Sequence, residues 1–178
     1  MIDIDAIIGR VPDHPKPGIV FYDLMPVFAD PIALDYVIGR IADWARPRKV
    51  DVVLGAESRG FILGGGIAQA LGAGFVAARK PGKLPGETVG HDYELEYGTD
   101  RLEIELGSIR PGQRVLIHDD LLATGGTSAA KIALAESQGA VVVGSAFVIE
   151  LEFLNGRRQL SPHDVFSLVT YDSESMTP

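Results

Sequence analysis

With 178 residues, 46% hydrophobic and 22% charged, the chain can bury one substantial core and is too apolar to be disordered. A net charge of −8 argues against a general nucleic-acid surface, and the lack of cysteine excludes a disulfide framework and thiolate metal sites. His14, His91, His118 and His163 are scattered without zinc-ligand spacing, "MIDIDAIIGRVPDHP" lacks the features of a signal peptide, and no apolar run reaches membrane-spanning length. A cytoplasmic protein without a membrane or nucleic-acid partner is expected.

"DPIALDYVIGRIADWARP" predicts a helix with Asp30 as N-cap and Pro31 at its first position. Leu34, Val37, Ile38, Ile41 and Ala45 recur at helical spacing until Pro47 ends the pattern. "VDVVLG" (50–55) reads as a buried strand, and "SRGFILGGGIAQALG" as a helix whose three successive glycines allow close packing. "GFVAA" (74–78) is the next strand. The segment "ARKPGKLPGETVG" crowds Arg79, Lys80 and Lys83 among glycines and prolines, which in an acidic protein points to a small anionic ligand.

The pattern then changes to alternation. Tyr93, Leu95 and Tyr97 alternate with polar residues, as do Leu102, Ile104 and Leu106, with Gly98-Thr99-Asp100 as the turn between them. This predicts a half-exposed antiparallel hairpin set apart from the main core. "PGQRVLIHDD" reads as a turn and buried strand, "TSAAKIALAESQG" as a helix closed by Gly139, and "AVVVGSAFVIEL" and "VFSLVTY" (165–171) as the last strands. Apolar strands alternating with helices predict an α/β fold with a central, mostly parallel sheet flanked by helices. No repeat or linker interrupts it, so one domain, 1–178, is expected.

The chemistry concentrates in "IHDDLLATGGTS" (117–128). In open α/β sheets ligands bind at the carboxyl ends of strands, and Asp119 and Asp120 stand at such an end. "ATGGT" then turns tightly into a helix. The amides of Thr124, Gly125, Gly126 and Thr127 can form an anion nest strengthened by the helix N-terminus. The two acids would repel a phosphate, so they must face another part of the ligand. Adjacent carboxylates suit a vicinal diol or a hydrated divalent cation, and a phosphate beside a diol describes a ribose 5-phosphate. No Walker A loop, dinucleotide GxGxxG fingerprint or GxSxG elbow is present.

"VLIHDDLLATGGTS" resembles the phosphoribosyl pyrophosphate (PRPP) signature of type I phosphoribosyltransferases. "PDHPKPGIVFYDL", "GAESRGFILG", "RKPGKLPG" and "YELEYG" follow the order found in the adenine phosphoribosyltransferase family, over about residues 11–171. That resemblance implies the type I phosphoribosyltransferase fold, with an N-terminal hood over about 1–30 and a lid and flexible hairpin over about 79–106. It implies transfer of phosphoribosyl from PRPP to adenine, with Mg²⁺ as cofactor and a homodimer as assembly.

The resemblance gives Asp119 and Asp120 to the ribose hydroxyls, and Ala123, Thr124, Gly125, Gly126 and Thr127 to the 5-phosphate. It gives Ser58 and Arg59 to the pyrophosphate, with Arg79, Lys80 and Lys83 closing over it. Val20, Phe21 and Tyr22 fall to adenine, and Glu96 to proton transfer beside the base, so that Glu96 and Arg59 are the catalytic pair. The magnesium is implied to arrive with PRPP, with Asp119 and Asp120 as the nearest carboxylates, and not to be held by protein side chains alone. Tyr22 departs from the family, which usually has arginine there, and His118 stands where an apolar residue is common. Another purine base as substrate, or a regulator that senses PRPP without catalysis, are the alternatives.

Overall fold

The computed structural model describes residues 2–94 and 98–173. The chain opens with a small antiparallel pair, β1 (Gly9–Pro12) and β2 (Val20–Asp23), with Arg10 opposite Tyr22. No periodicity predicted these strands, because a two-stranded pair this short carries too few alternations to register. A short helix α1 (Met25–Ala29) leads to α2 (Pro31–Ala45). The Asp30 side chain caps α2, accepting from the amides of Ile32 at 2.8 Å and Ala33 at 3.0 Å.

The main sheet is built from β3 (Val52–Ala56), β4 (Gly74–Ala78), β7 (Arg114–His118), β8 (Leu121–Leu122), β9 (Val141–Leu151) and β10 (Val165–Tyr171). Between β4 and β7 lies the hairpin of β5 (Thr88–Glu94) and β6 (Thr99–Glu105). Helix α3 (Arg59–Leu71) connects β3 to β4, and α4 (Gly126–Ser137) connects β8 to β9. The sheet order is β10-β9-β7-β3-β4, every pairing is parallel, and β8 adds to β9.

Strand alternation divides the core in two. Val53, Leu116 and Val148 face α2 and α3, meeting Val37, Ile41, Leu63 and Ile67. Leu54, Ile117 and Phe147 face α4, meeting Ala130, Leu134 and Ala135. The glycines of α3 permit close contact: a Cβ on Gly64 would lie 2.5 Å from the Phe75 ring, and one on Gly66 2.5 Å from Ile38 Cδ1.

Three expectations are corrected. The hairpin is not set apart from the core, since Leu102 and Ile104 are buried in the α4-side cluster. Its turn does not lie at Gly98-Thr99-Asp100: Thr99 pairs with Glu94 and Asp100 with Tyr93, so both already belong to β6. Leu106 does not share the buried face of Leu102 and Ile104, because β6 ends at Glu105 and Leu106 is exposed next to a turn at Gly107.

One irregularity in the sheet is sterically fixed. The register between β7 and β9 slips by one residue, with Val115 opposite Val142 and Leu116 opposite Gly144. Gly144 has φ +144°, and a Cβ there would lie 2.8 Å from the Trp44 ring and 3.1 Å from the Asp164 carbonyl oxygen. Gly144→Ala should therefore cost about 2 kcal/mol and lower the thermal midpoint by roughly 5 °C. Calorimetry on the two proteins checks this, and an unchanged midpoint would mean that Trp44 gives way freely.

Candidate functional site

Adjacent strands bring two sequence-distant segments face to face. β3 and β7 pair with Gly55 opposite His118, so Glu57-Ser58-Arg59 and Asp119-Asp120 emerge side by side at their carboxyl ends. A cavity of about 260 Å³ opens there, lined by residues 57–59 and 119–128. The predicted residues Ser58, Arg59, Asp119, Asp120 and Ala123 to Thr127 thus share one cleft, at the sheet edge where open α/β folds bind ligands.

The turn at 123–126 is shaped by a close backbone approach. Gly125 precedes α4 with φ +91°, and a Cβ there would lie 2.5 Å from the Gly156 carbonyl oxygen. Only glycine meets both conditions. The first amides of α4 have no partner within the helix, and they open onto the cavity with Thr124 and Thr127. The result is a concave set of donors at a positive helix end, suited to a phosphate.

Each acid is matched by a cation. Asp119 Oδ2 lies 2.8 Å from Lys131 Nζ, and its Oδ1 accepts from the Asp120 amide at 3.1 Å. Asp120 Oδ2 lies 2.8 Å from Arg59 Nε, but this is a charge contact without hydrogen-bond alignment, and Oδ2 has no hydrogen-bonding partner. Burial, and the neighbouring Asp119 charge, push the Asp120 carboxyl up to about 6. His118 is buried, its Nδ1 is 2.9 Å from the Ala146 carbonyl, and burial lowers it to about 4, so it is a neutral packing residue.

The cationic segment lies beside the cleft and is already engaged. Arg79 donates to Glu57 Oε2 through Nε at 3.1 Å and Nη2 at 3.0 Å, and the Lys80 amide donates to Glu57 Oε1 at 2.7 Å. Burial alone would raise Glu57, but these donors hold it below its usual range. Lys80 Nζ pairs with Asp100 of β6 at 2.9 Å, and the carbonyl of Lys83 accepts from Arg79 at 3.0 Å. The Tyr93 hydroxyl donates to Asp100 at 3.2 Å and also meets Thr127 of the turn.

In the hood, β2 alternation separates the predicted residues. The Phe21 ring lies 5.4 Å from the Arg59 guanidinium and faces the cleft side, with Val20 partly buried. The Tyr22 side chain turns into the core and stacks on Tyr171 at 4.1 Å, so only its backbone is left for the other side. Glu96 lies outside the described residues.

Three residues of this site escaped the sequence reading. Glu57 is adjacent to the chosen Ser58, and its signal was an acid at a strand end opposite a basic loop. Tyr93 shows no signal beyond strand alternation. Lys131 sits where the helical period of α4 requires an apolar residue, which was a readable anomaly.

The raised Asp120 carboxyl makes a stability prediction. The native state holds this proton more tightly than the unfolded chain, whose carboxyl has the ordinary value of 3.8. The associated stabilisation is full below about pH 4 and is lost as pH rises through about 6. Asp120→Asn should therefore be more stable than the parent at pH 7 by about 1–3 kcal/mol, converging with it toward pH 4. Thermal unfolding across that pH range measures the difference, and equal midpoints at pH 7 would refute it.

Residues 32–174 match the phosphoribosyl transferase domain family. The adenine phosphoribosyltransferase of Solibacter usitatus is 55% identical over 172 residues, covering 97% of this chain and 99% of that one. The crystal structure of the adenine phosphoribosyltransferase of Thermoanaerobacter pseudethanolicus superimposes with a TM-score of 0.92 at 49% identity, covering 94% of this chain and 98% of that one. The Saccharomyces cerevisiae adenine phosphoribosyltransferase, in complex with an imino-altritol bisphosphate and adenine, has a TM-score of 0.88 at 41% identity, over 92% and 95% of the two chains. Sequence, fold and the cleft at residues 119–128 agree: the chain belongs to the adenine phosphoribosyltransferases, within the phosphoribosyl transferase domain family.

Proposed function

We infer that this chain transfers the 5-phosphoribosyl group from PRPP to adenine, giving AMP and pyrophosphate, a reaction of purine salvage. The observation that carries the reading is one cleft that holds both an anion nest and an acid pair. A phosphate on the α4 turn leaves the ribose hydroxyls within reach of carboxylates. The adenine bound in the yeast relative supports the choice of base.

In the proposed reaction the bond from C1′ to the pyrophosphate oxygen breaks as N9 of adenine bonds to C1′. Ala123, Thr124, Gly125, Gly126 and Thr127 hold the 5-phosphate, and Asp119 and Asp120 accept from the ribose hydroxyls. Ser58 and Arg59 bind the departing pyrophosphate, where a guanidinium offers a two-pronged contact. Arg79, Lys80 and Lys83 add positive charge as the lid closes. Val20 and Phe21 contact the adenine ring, with the backbone at 20 and 22 on its edge. Glu96 takes the N9 proton.

Charge developing on pyrophosphate is met by prearranged cations in a closing cleft, an arrangement that favours the transition state over the ground state. Magnesium fits this site as a passenger of PRPP. Among the described residues no cluster of three or more metal-ligating side chains occurs, so the acid pair would need diphosphate oxygens to complete a coordination sphere. When bound, the cation neutralises the leaving group. A cytoplasmic homodimer completes the proposal, resting on the family resemblance. Among the described residues no helix is long and apolar enough to cross a membrane.

Incubation with magnesium–PRPP and each purine base in turn should yield AMP from adenine, with hypoxanthine and guanine slower by orders of magnitude. Comparable turnover of hypoxanthine would transfer the chain to another base. Glu96→Gln should leave PRPP binding nearly intact and lower the turnover number by ~10²-fold or more, the usual weight of a general base. Calorimetry and steady-state rates separate the two, and unchanged turnover would make Glu96 structural.

A further inference from the structure

Lys131 is fully buried, at 0% exposure. It projects from α4, one turn after the phosphate nest, toward the end of β7. Its Nζ donates to the His118 carbonyl at 2.6 Å and to Asp119 Oδ2 at 2.8 Å. One side chain thus joins the helix that carries the anion nest to the strand end that carries the acids. The Asp119 carboxylate is fixed at both oxygens, by Lys131 and by the Asp120 amide.

Stability alone does not account for this lysine. Burying an ammonium is costly, and its attraction to one carboxylate repays that cost only where geometry is favourable. The surrounding face of α4 is otherwise small or apolar, with Ala130, Leu134 and Ala135 buried beside it. An apolar side chain would fill the space without desolvating a charge. The lysine's distinct contribution is to the cleft: it fixes the spacing between nest and acids, and it cancels one negative charge where an anionic substrate must enter.

We propose that Lys131 is a positioning residue for PRPP, acting through Asp119 and the β7 end and touching no substrate atom. The proposal rests on the reading of the cleft as a PRPP site. It predicts a selective defect. Adenine is proposed to lie against β2, away from Lys131, so its KM should not move with the loss of the lysine.

The test uses the whole chain as the parent, Lys131→Met, Asp119→Asn and the double variant. Magnesium–PRPP binding is followed by calorimetry, and KM for both substrates by steady-state rates. Lys131→Met should weaken PRPP binding about tenfold, the weight of a lost charge-assisted contact, with KM for PRPP rising in step. The KM for adenine should stay within about twofold. In the Asp119→Asn background the same lysine change should move binding by clearly less than in the parent, about threefold or less, because only the contact to the β7 end is then lost and residues acting through one another are not additive. A merely structural lysine would harm both substrates alike and add its full effect to that of Asp119→Asn; either result overturns the proposal, as does Lys131→Met binding PRPP like the parent. If Lys131→Met does not fold, Lys131→Gln, which keeps a donor for the His118 carbonyl, is judged by the same numbers. A parent that fails to bind magnesium–PRPP would instead overturn the reading of the cleft.

Discussion

Asp119 and Asp120 place two negative charges on consecutive residues where a buried strand ends, and the surrounding structure is arranged against their repulsion. Neighbouring charges in a poorly solvated site interact far more strongly than in water. Lys131 answers Asp119 from inside the fold, and Arg59 answers Asp120 from the cleft. The two answers differ in kind. The lysine is enclosed and donates in good geometry, whereas Arg59 is partly exposed and leaves Asp120 Oδ2 without an aligned bond. One acid is therefore permanently compensated, while the other has a partner that an incoming anion can take away. In the proposed reaction, exchange of Arg59 from carboxylate to pyrophosphate would leave Asp120 to a hydroxyl donor.

A second set of charges continues this arrangement outward. Glu57 gathers Arg79 and the Lys80 amide, Asp100 holds the Lys80 ammonium, and Tyr93 connects Asp100 to Thr127. The 79–83 segment, the hairpin and the turn before α4 are thus joined by polar contacts at the rim of the cleft. Of these charges Lys80 is the exposed one, and an ion pair with so solvated a partner contributes little to stability, so that contact can be exchanged for a ligand's at small cost.

Much of the architecture was legible because its periodicities are strong. The apolar runs at 50–55 and 165–171, the Asp30–Pro31 start of α2, and the turn from Asp119 to Thr127 all declare themselves locally. The errors came where tertiary contacts decide. The alternation of Leu102 and Ile104 gave a strand but not the partner that buries it, and Leu106 continued the pattern past the strand's end. Lys131 breaks the apolar period of α4, a visible anomaly, but only the fold shows that this position meets the acids. Tyr22 stood out as a departure in the base segment. Its ring leaves that segment for the core, a destination that only the packing of the last strand reveals.

The stack of Tyr22 on Tyr171 belongs to a cluster that joins β10 to β2 and the segment before it. Tyr171 donates to Asp5, Arg10 pairs with Asp5 at 2.6 Å, and the Arg10 guanidinium lies over both tyrosine rings. The strand that carries Phe21 toward the cleft is therefore braced by a residue of β10, far away along the sequence. Because β10 is an edge strand of the main sheet, held by β9 alone, fraying there would release the Tyr22 ring and slacken β2. The position of Phe21 beside Arg59 is thus tied to the integrity of the sheet's outer edge.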